Sequence, residues 1–144
     1  MPITTLLHDI ATNAGVLVAL VFAYAALSWP FDEPDAAARE RVGLDPTRPT
    51  GLVLFGGHGS RAMLGIAERL DDVQLILICG HNEKLARQLR ARPSRAPHHV
   101  VGFTSDVPAL MDLADFFIGK PGPGSLSEAV QRGLPVIVVD NAWT

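Results

Sequence analysis

The chain has 144 residues, 48% of them hydrophobic, a length and content suited to one ordinary domain with its own core. The formal charge is −3, and the twelve Lys and Arg are scattered from Arg39 onward, which argues against the basic stripe of a nucleic-acid-binding protein. With one cysteine, Cys79, the chain has no internal disulfide. In chain order, residues 10–30 carry no charge and their centre, 15–27, is almost wholly apolar. The stretch predicts an apolar helix over residues 1–30. It is near the lower limit of about 20 apolar residues for a bilayer span, and Thr12, Asn13 and Ser28 weaken it. Two alternatives stay open: a membrane-associated helix, with Tyr24 and Trp29 at the interface, or a helix buried against protein or following a misplaced start. Asp9 stands where a signal peptide would carry a basic residue. Pro30, Pro34, Pro46 and Pro49 bracket a polar stretch with a short helical pattern at 35–42, so 31–50 is expected to be a linker to a globular unit over 51–144.

From Gly51 onward short apolar runs alternate with amphipathic ones, the signature of a parallel sheet with crossover helices. Strands are expected at 52–55, 73–79, 99–102, 116–118 and 135–139, and helices at 60–70, 82–90, 107–113 and 125–132. The 73–79 run is rich in Val, Leu and Ile, as a strand buried on both faces is, and Cys79 within it is expected to pack as a small hydrophobe. Five strands with right-handed crossovers make a Rossmann-like α/β sheet with flanking helices.

Two glycine loops follow strands: Gly56-Gly57-His58-Gly59-Ser60 after the first and Gly122-Pro123-Gly124-Ser125 after the fourth. Strand carboxyl ends are where open α/β sheets bind ligands. A glycine loop that opens a helix brings backbone N–H groups and the helix dipole to a phosphate. Neither loop has the GxGxxG spacing, and GxxxxGK[ST] is absent, so the usual NAD and ATP motifs are not present. Ser125 is a good N-cap, and Glu128 follows it at capping-box spacing. Glu128 therefore either bonds the Ser125 N–H or accepts hydrogen bonds from a ribose beside the phosphates. Lys120 either meets a phosphate or is solvated. His58 either contacts phosphate or sits at the surface. His81, His98 and His99 show no metal-ligand spacing, and solvated or packing roles are expected for them.

On the segments at 51–60, on Val101-Gly102-Phe103-Thr104 with 111–115, and above all on KPGPGSLSEAVQRGLP at 120–135, the chain resembles the C-terminal, donor-binding half of two-domain (GT-B) glycosyltransferases. The family includes monogalactosyldiacylglycerol synthases, diacylglycerol glucosyltransferases and the peptidoglycan lipid-linked N-acetylglucosaminyl transferase, and the last segment is more similar to the glycolipid synthases. The resemblance implies a UDP-sugar donor, inverting chemistry and a lipid acceptor such as diacylglycerol, with no metal or other cofactor. It implies that Glu128 binds the ribose hydroxyls, that Gly122, Pro123, Gly124 and Ser125 face the diphosphate, and that Phe103 and Thr104 lie along the uracil. Gly57 and Ser60 would face the interdomain cleft. The family's N-terminal domain supplies the acceptor site and the base, so no catalytic residue is assigned here. An apolar segment stands in its place, and the chain ends at Thr144, before the family's sugar-contacting stretch. The expectation is a donor domain inactive alone, at the cytoplasmic face of a membrane or otherwise cytoplasmic, and a fragment, a truncated product or a split-enzyme subunit. The alternatives are a non-catalytic membrane-anchored subunit of a split glycosyltransferase and a fragment similar to UDP-N-acetylglucosamine 2-epimerases.

Overall fold

The computed structural model of the chain describes residues 18–21, 35–120 and 122–139. Within them the strands are β1 (Val18–Val21), β2 (Thr50–Leu54), β3 (Gln74–Ile78), β4 (His98–Val101), β5 (Phe116–Gly119) and β6 (Val136–Val139). The helices are α1 (Ala36–Arg41), α2 (Ala62–Arg69), α3 (Glu83–Ala91), α4 (Val107–Met111) and α5 (Pro123–Gln131). The sheet order is β1-β6-β5-β2-β3-β4. The five strands from β2 to β6 are all parallel, as the alternation of apolar and amphipathic runs requires. Counted among themselves they run 3-2-1-4-5, the doubly wound order, so the switch point lies between β2 and β5.

β1 adds a sixth strand, antiparallel to β6, which the sequence did not lead one to expect. Its four residues fall inside the segment expected as an apolar helix; the rest of that expectation lies outside the described residues. Among the described residues no helix is long and apolar enough to cross a membrane.

Every residue of β2, β3 and β5 is buried, because helices cover both faces of the sheet. Alternation along each strand sorts the apolar side chains into two cores. Val53, Leu75, Leu77, Phe116 and Ile118 pack with Met63, Ile66, Leu85 and Leu89 of α2 and α3. Leu52, Leu54, Ile76, Ile78 and Phe117 pack on the other face with Leu44, Met111, Leu113 and Ala129. Residues 35–49, within the stretch expected to be a linker, are built into this second face. Arg39 is buried and ion-pairs with Asp115 at 2.7 Å. It also donates to the carbonyls of Leu113, Pro46 and Arg48.

Cys79 is buried, and burial pushes its thiol up, so it stays protonated. His98 packs rather than binds a ligand: its Nε2 lies 3.1 Å from the Leu70 carbonyl and 3.0 Å from the Val73 carbonyl. Burial pushes the His98 imidazole below the ordinary histidine range, outweighing those two carbonyls, and burial lowers His99 in the same way. The unfolded chain therefore takes up protons as pH falls through about 6.5, while the folded chain does not until lower pH. This contribution is full above that value and is lost as pH drops through the depressed folded one. The urea midpoint is accordingly expected to fall between pH 7.5 and 5.5, and His98→Gln, which keeps one donor, should flatten the drop.

Candidate functional site

The carboxyl ends of β2 and β5 stand side by side, Leu54 opposite Gly119, so the two glycine loops leave the sheet as neighbours at the switch point. Gly56 has φ +78°, a left-handed conformation that turns the chain away from β2, and a Cβ there would come 3.0 Å from the Lys120 Nζ. The exposed Lys120 ammonium thus lies over the first loop, although the two residues are far apart in sequence.

The second loop differs from the expected form. α5 begins at Pro123, with Gly122 as N-cap in extended conformation and no side chain capping the helix. Proline at the first helical position has the φ a helix needs and no N–H to satisfy, so the helix starts two residues before Ser125. Ser125 is in the first turn and is not the N-cap, and no capping box forms. The Leu126 N–H donates to the Gly122 carbonyl at 3.2 Å. The amides of Gly124 and Ser125 precede the first intrahelical bond and point out of the helix mouth. A Cβ at Gly122 or Gly124 would meet nothing within 4 Å. Among the described residues these glycines relieve no crowding, and they have no positive φ. They leave space in front of a positive helix end that is flanked by a lysine, an arrangement suited to an anion.

Glu128 lies four residues after Gly124 and three after Ser125, on the same helix face. Helical side chains lean toward the N-terminus, so the half-buried Glu128 stands on the face that leads back to the mouth, past a glycine that offers no obstacle. Among the described residues the carboxylate accepts no hydrogen bond.

The first loop is not an equivalent second anion site. Ser60 Oγ accepts from the Ala62 N–H at 3.2 Å and its carbonyl accepts from the Met63 N–H at 3.0 Å, so Ser60 itself covers the mouth of α2. What faces outward is Gly57, exposed and with open space for 4 Å around the point where a Cβ would stand, together with the hydroxyl proton that Ser60 retains. The loop is held from behind by the turn after β3. Gly80 (φ +60°) abuts the Gly57 carbonyl so closely that no side chain fits, and the His81 N–H donates to that carbonyl at 2.8 Å. Asn82 caps α3 by accepting from the Leu85 N–H at 3.0 Å, and it donates to the His58 carbonyl at 3.1 Å.

Phe103 and Thr104 follow β4, three strand positions from β5 along the same edge. Phe103 is 66% exposed. Thr104 Oγ1 accepts from the Asp106 N–H at 3.0 Å, which orders the turn into α4. Beside Phe103 opens a cleft of about 320 Å³ lined by Gly80, His81, Gly102 and the α3 residues Glu83, Arg87 and Arg90. Gly57, Ser60, Gly122, Pro123, Gly124, Ser125 and Glu128 thus gather at the switch point. Phe103 and Thr104 stand apart from them, and a ligand touching both groups must lie along the sheet edge across β2 and β3. Sequence patterns left Lys120 undecided, gave His81 only a solvated or packing role, and did not single out the cleft residues of α3, whose spacing is that of an ordinary solvated helix face. Among the described residues no cluster of three or more His, Cys, Asp or Glu is arranged to hold a metal ion.

Residues 52–142 match the family model of the glycosyltransferase family 28 C-terminal domain. The chain is similar to the chloroplastic monogalactosyldiacylglycerol synthase of Spinacia oleracea, with 34% identity over 118 residues, 74% of this chain and 23% of that protein. Monogalactosyldiacylglycerol synthase 1 of Arabidopsis thaliana is 33% identical over 116 residues, covering 73% of this chain and 22% of the relative. A probable monogalactosyldiacylglycerol synthase 3 of Oryza sativa subsp. japonica is 36% identical over 113 residues, 71% of this chain and 22% of its own length. The chain therefore spans under a quarter of the length of these relatives.

Proposed function

The chain belongs to the glycosyltransferase family 28 C-terminal domain family, and from that membership we propose that it binds the nucleotide of a UDP-sugar and steadies the diphosphate as the sugar leaves it. The observation that carries this is the open mouth of α5, with its uncapped amides, with Glu128 on the helix face that leads to it and with the Lys120 ammonium over the neighbouring first loop. In this reading the diphosphate sits on the Gly124 and Ser125 amides, Glu128 accepts from the ribose hydroxyls, and the uracil lies along Phe103 and Thr104. As the glycosidic bond breaks, negative charge grows on the departing diphosphate. Amides already fixed by a helix stabilise that charge without reorganising, and Lys120 adds a cation.

The sugar is a hexose and the acceptor a lipid of the diacylglycerol class, a reading that the names of the similar proteins support. Transfer also needs an acceptor site and a base. We assign both to a second domain, in the same polypeptide or in a partner.

The test uses Gly124. The residue has a helical backbone and open space for a methyl, so Gly124→Ala is expected to raise stability by about 0.4–1 kcal/mol. The same methyl intrudes where the diphosphate is proposed to sit. Overpacking of about 1–3 kcal/mol corresponds to a loss of UDP affinity of about 5- to 150-fold by isothermal titration. A variant that is more stable and binds UDP as the parent does would remove the diphosphate from this helix mouth.

A further inference from the structure

Phe103 is a large apolar ring left 66% exposed, yet one of its faces is not in water. The His81 imidazole lies against it with ring centroids 4.2 Å apart and planes 19° apart, a stacked pair. His58 stands on toward the first glycine loop, 5.7 Å from His81 and tilted at 45°. Three rings therefore run along the carboxyl edge of the sheet, from the loop after β2 to the turn after β4. Of these, His81 has the best-anchored backbone, because its N–H is bonded to Gly57 and the next residue caps α3.

We propose that His81 is a positioning residue for a planar base: it backs Phe103 on one face, so that the ring is already oriented when a nucleobase stacks on the other. The inference rests on the UDP-sugar reading above. Gly80 and Gly102, which line the cleft beside the pair, carry no side chains to obstruct a flat ligand. An exposed phenylalanine without a backing partner samples several rotamers, and ordering it at the moment of binding costs affinity. A stacked pair has met that cost during folding. His81 does not touch the diphosphate in this account, so its effect is confined to the base.

The test is titration of the full chain and its variants with UDP, uridine and inorganic pyrophosphate, with thermal melting as a control. His81→Ala is expected to weaken UDP and uridine roughly three- to tenfold, the worth of one aromatic pair, and to leave pyrophosphate binding unchanged. His81→Phe, which keeps a flat ring, should restore both. In a Phe103→Leu background His81→Ala should cost little, since the ring it positions is gone, and the melting temperatures should agree throughout. The proposal is overturned if His81→Ala binds uridine as the parent does, if it weakens pyrophosphate equally, or if its cost persists without Phe103. If UDP binding is strong and depends on Glu128 while every ring variant is silent, the positioning role falls and the donor reading stands. If the parent chain binds neither UDP nor uridine, both fall.

Discussion

Arg39→Ala is expected to lower the unfolding free energy by about 3 kcal/mol, the low end of the cost of removing one partner from a buried charge pair, since the Asp115 side chain it leaves is 26% exposed. Arg39 is 4% exposed, and each nitrogen of its guanidinium donates at least one hydrogen bond. Its Nη2 bonds the Asp115 carboxylate at 2.7 Å, its Nε bonds the Leu113 carbonyl at 2.9 Å, and its Nη1 reaches the carbonyls of Pro46 and Arg48. The same Asp115 oxygen accepts from the Thr50 N–H at 2.8 Å, and the Asp115 N–H donates to the Thr50 carbonyl at 2.7 Å. The arginine thus ties α1 to the amino ends of β2 and β5, the two strands whose carboxyl ends carry the glycine loops. Domains of this size are stable by only about 5–15 kcal/mol, so the loss is a large share of the total. An Arg39→Met, Asp115→Leu double variant should recover only part of it, because the Thr50 N–H and the carbonyls of Leu113 and Pro46 then lack partners, while the Arg48 carbonyl keeps the Thr50 hydroxyl. Urea unfolding reads this directly, and a loss under about 1 kcal/mol would mean that the pair behaves as a surface bridge. Because the network lies at the opposite end of the strands from the loops, whatever fraction of Arg39→Ala remains folded should bind UDP with the parent's affinity.

Glu128→Ala is expected to weaken UDP binding by roughly 10- to 100-fold, since a carboxylate bonded to ligand hydroxyls contributes about 1.5–3 kcal/mol. The substitution is interpretable because α5 starts at Pro123. Had Ser125 been the N-cap, Glu128 could have been closing a capping box, and its loss would have frayed the helix. In the observed helix Glu128 is in the second turn, its carboxylate has no hydrogen bond among the described residues, and alanine is the better helix former there. Stability should therefore hold or rise while affinity falls. Glu128→Gln separates charge from shape, since it retains one acceptor oxygen and should lose less than alanine does. Equal affinity in all three proteins would move the ribose away from α5.

The parallel sheet was legible because burial on both faces leaves a strong trace in the sequence. The runs at β2 and β3 are apolar nearly without interruption, and only two-sided packing tolerates that in a chain that is charged elsewhere. The glycine loops were legible for a related reason, since each punctuates the end of such a run. The start of α5 was misplaced because serine is the stronger capping signal, while the proline two residues earlier already has a helical φ. Arg39 was hidden in a stretch that looks like a linker, because its partners Leu113 and Asp115 lie 74 and 76 residues away and no local pattern marks such a pair. The same holds for Lys120 over Gly56 and for His81 on Phe103, which the sheet order brings together. Strand order decided which solitary polar residues became neighbours, and the sequence carried no period or spacing that encodes it.

The central claim is that the mouth of α5, the first glycine loop and the Phe103 turn form one nucleotide site. A UDP titration followed through the backbone amide spectrum of the isotope-labelled chain tests it most directly. The predicted result is that the amides of Gly57, Lys120, Gly122, Gly124 and Ser125 move together with those of His81, Phe103 and Thr104 at a single affinity, while Thr50 and Asp115 at the far end of the strands stay still. Shifts gathered instead in the groove between α2 and α3, around Arg61 and Lys84, or no saturable shift at all, would contradict it.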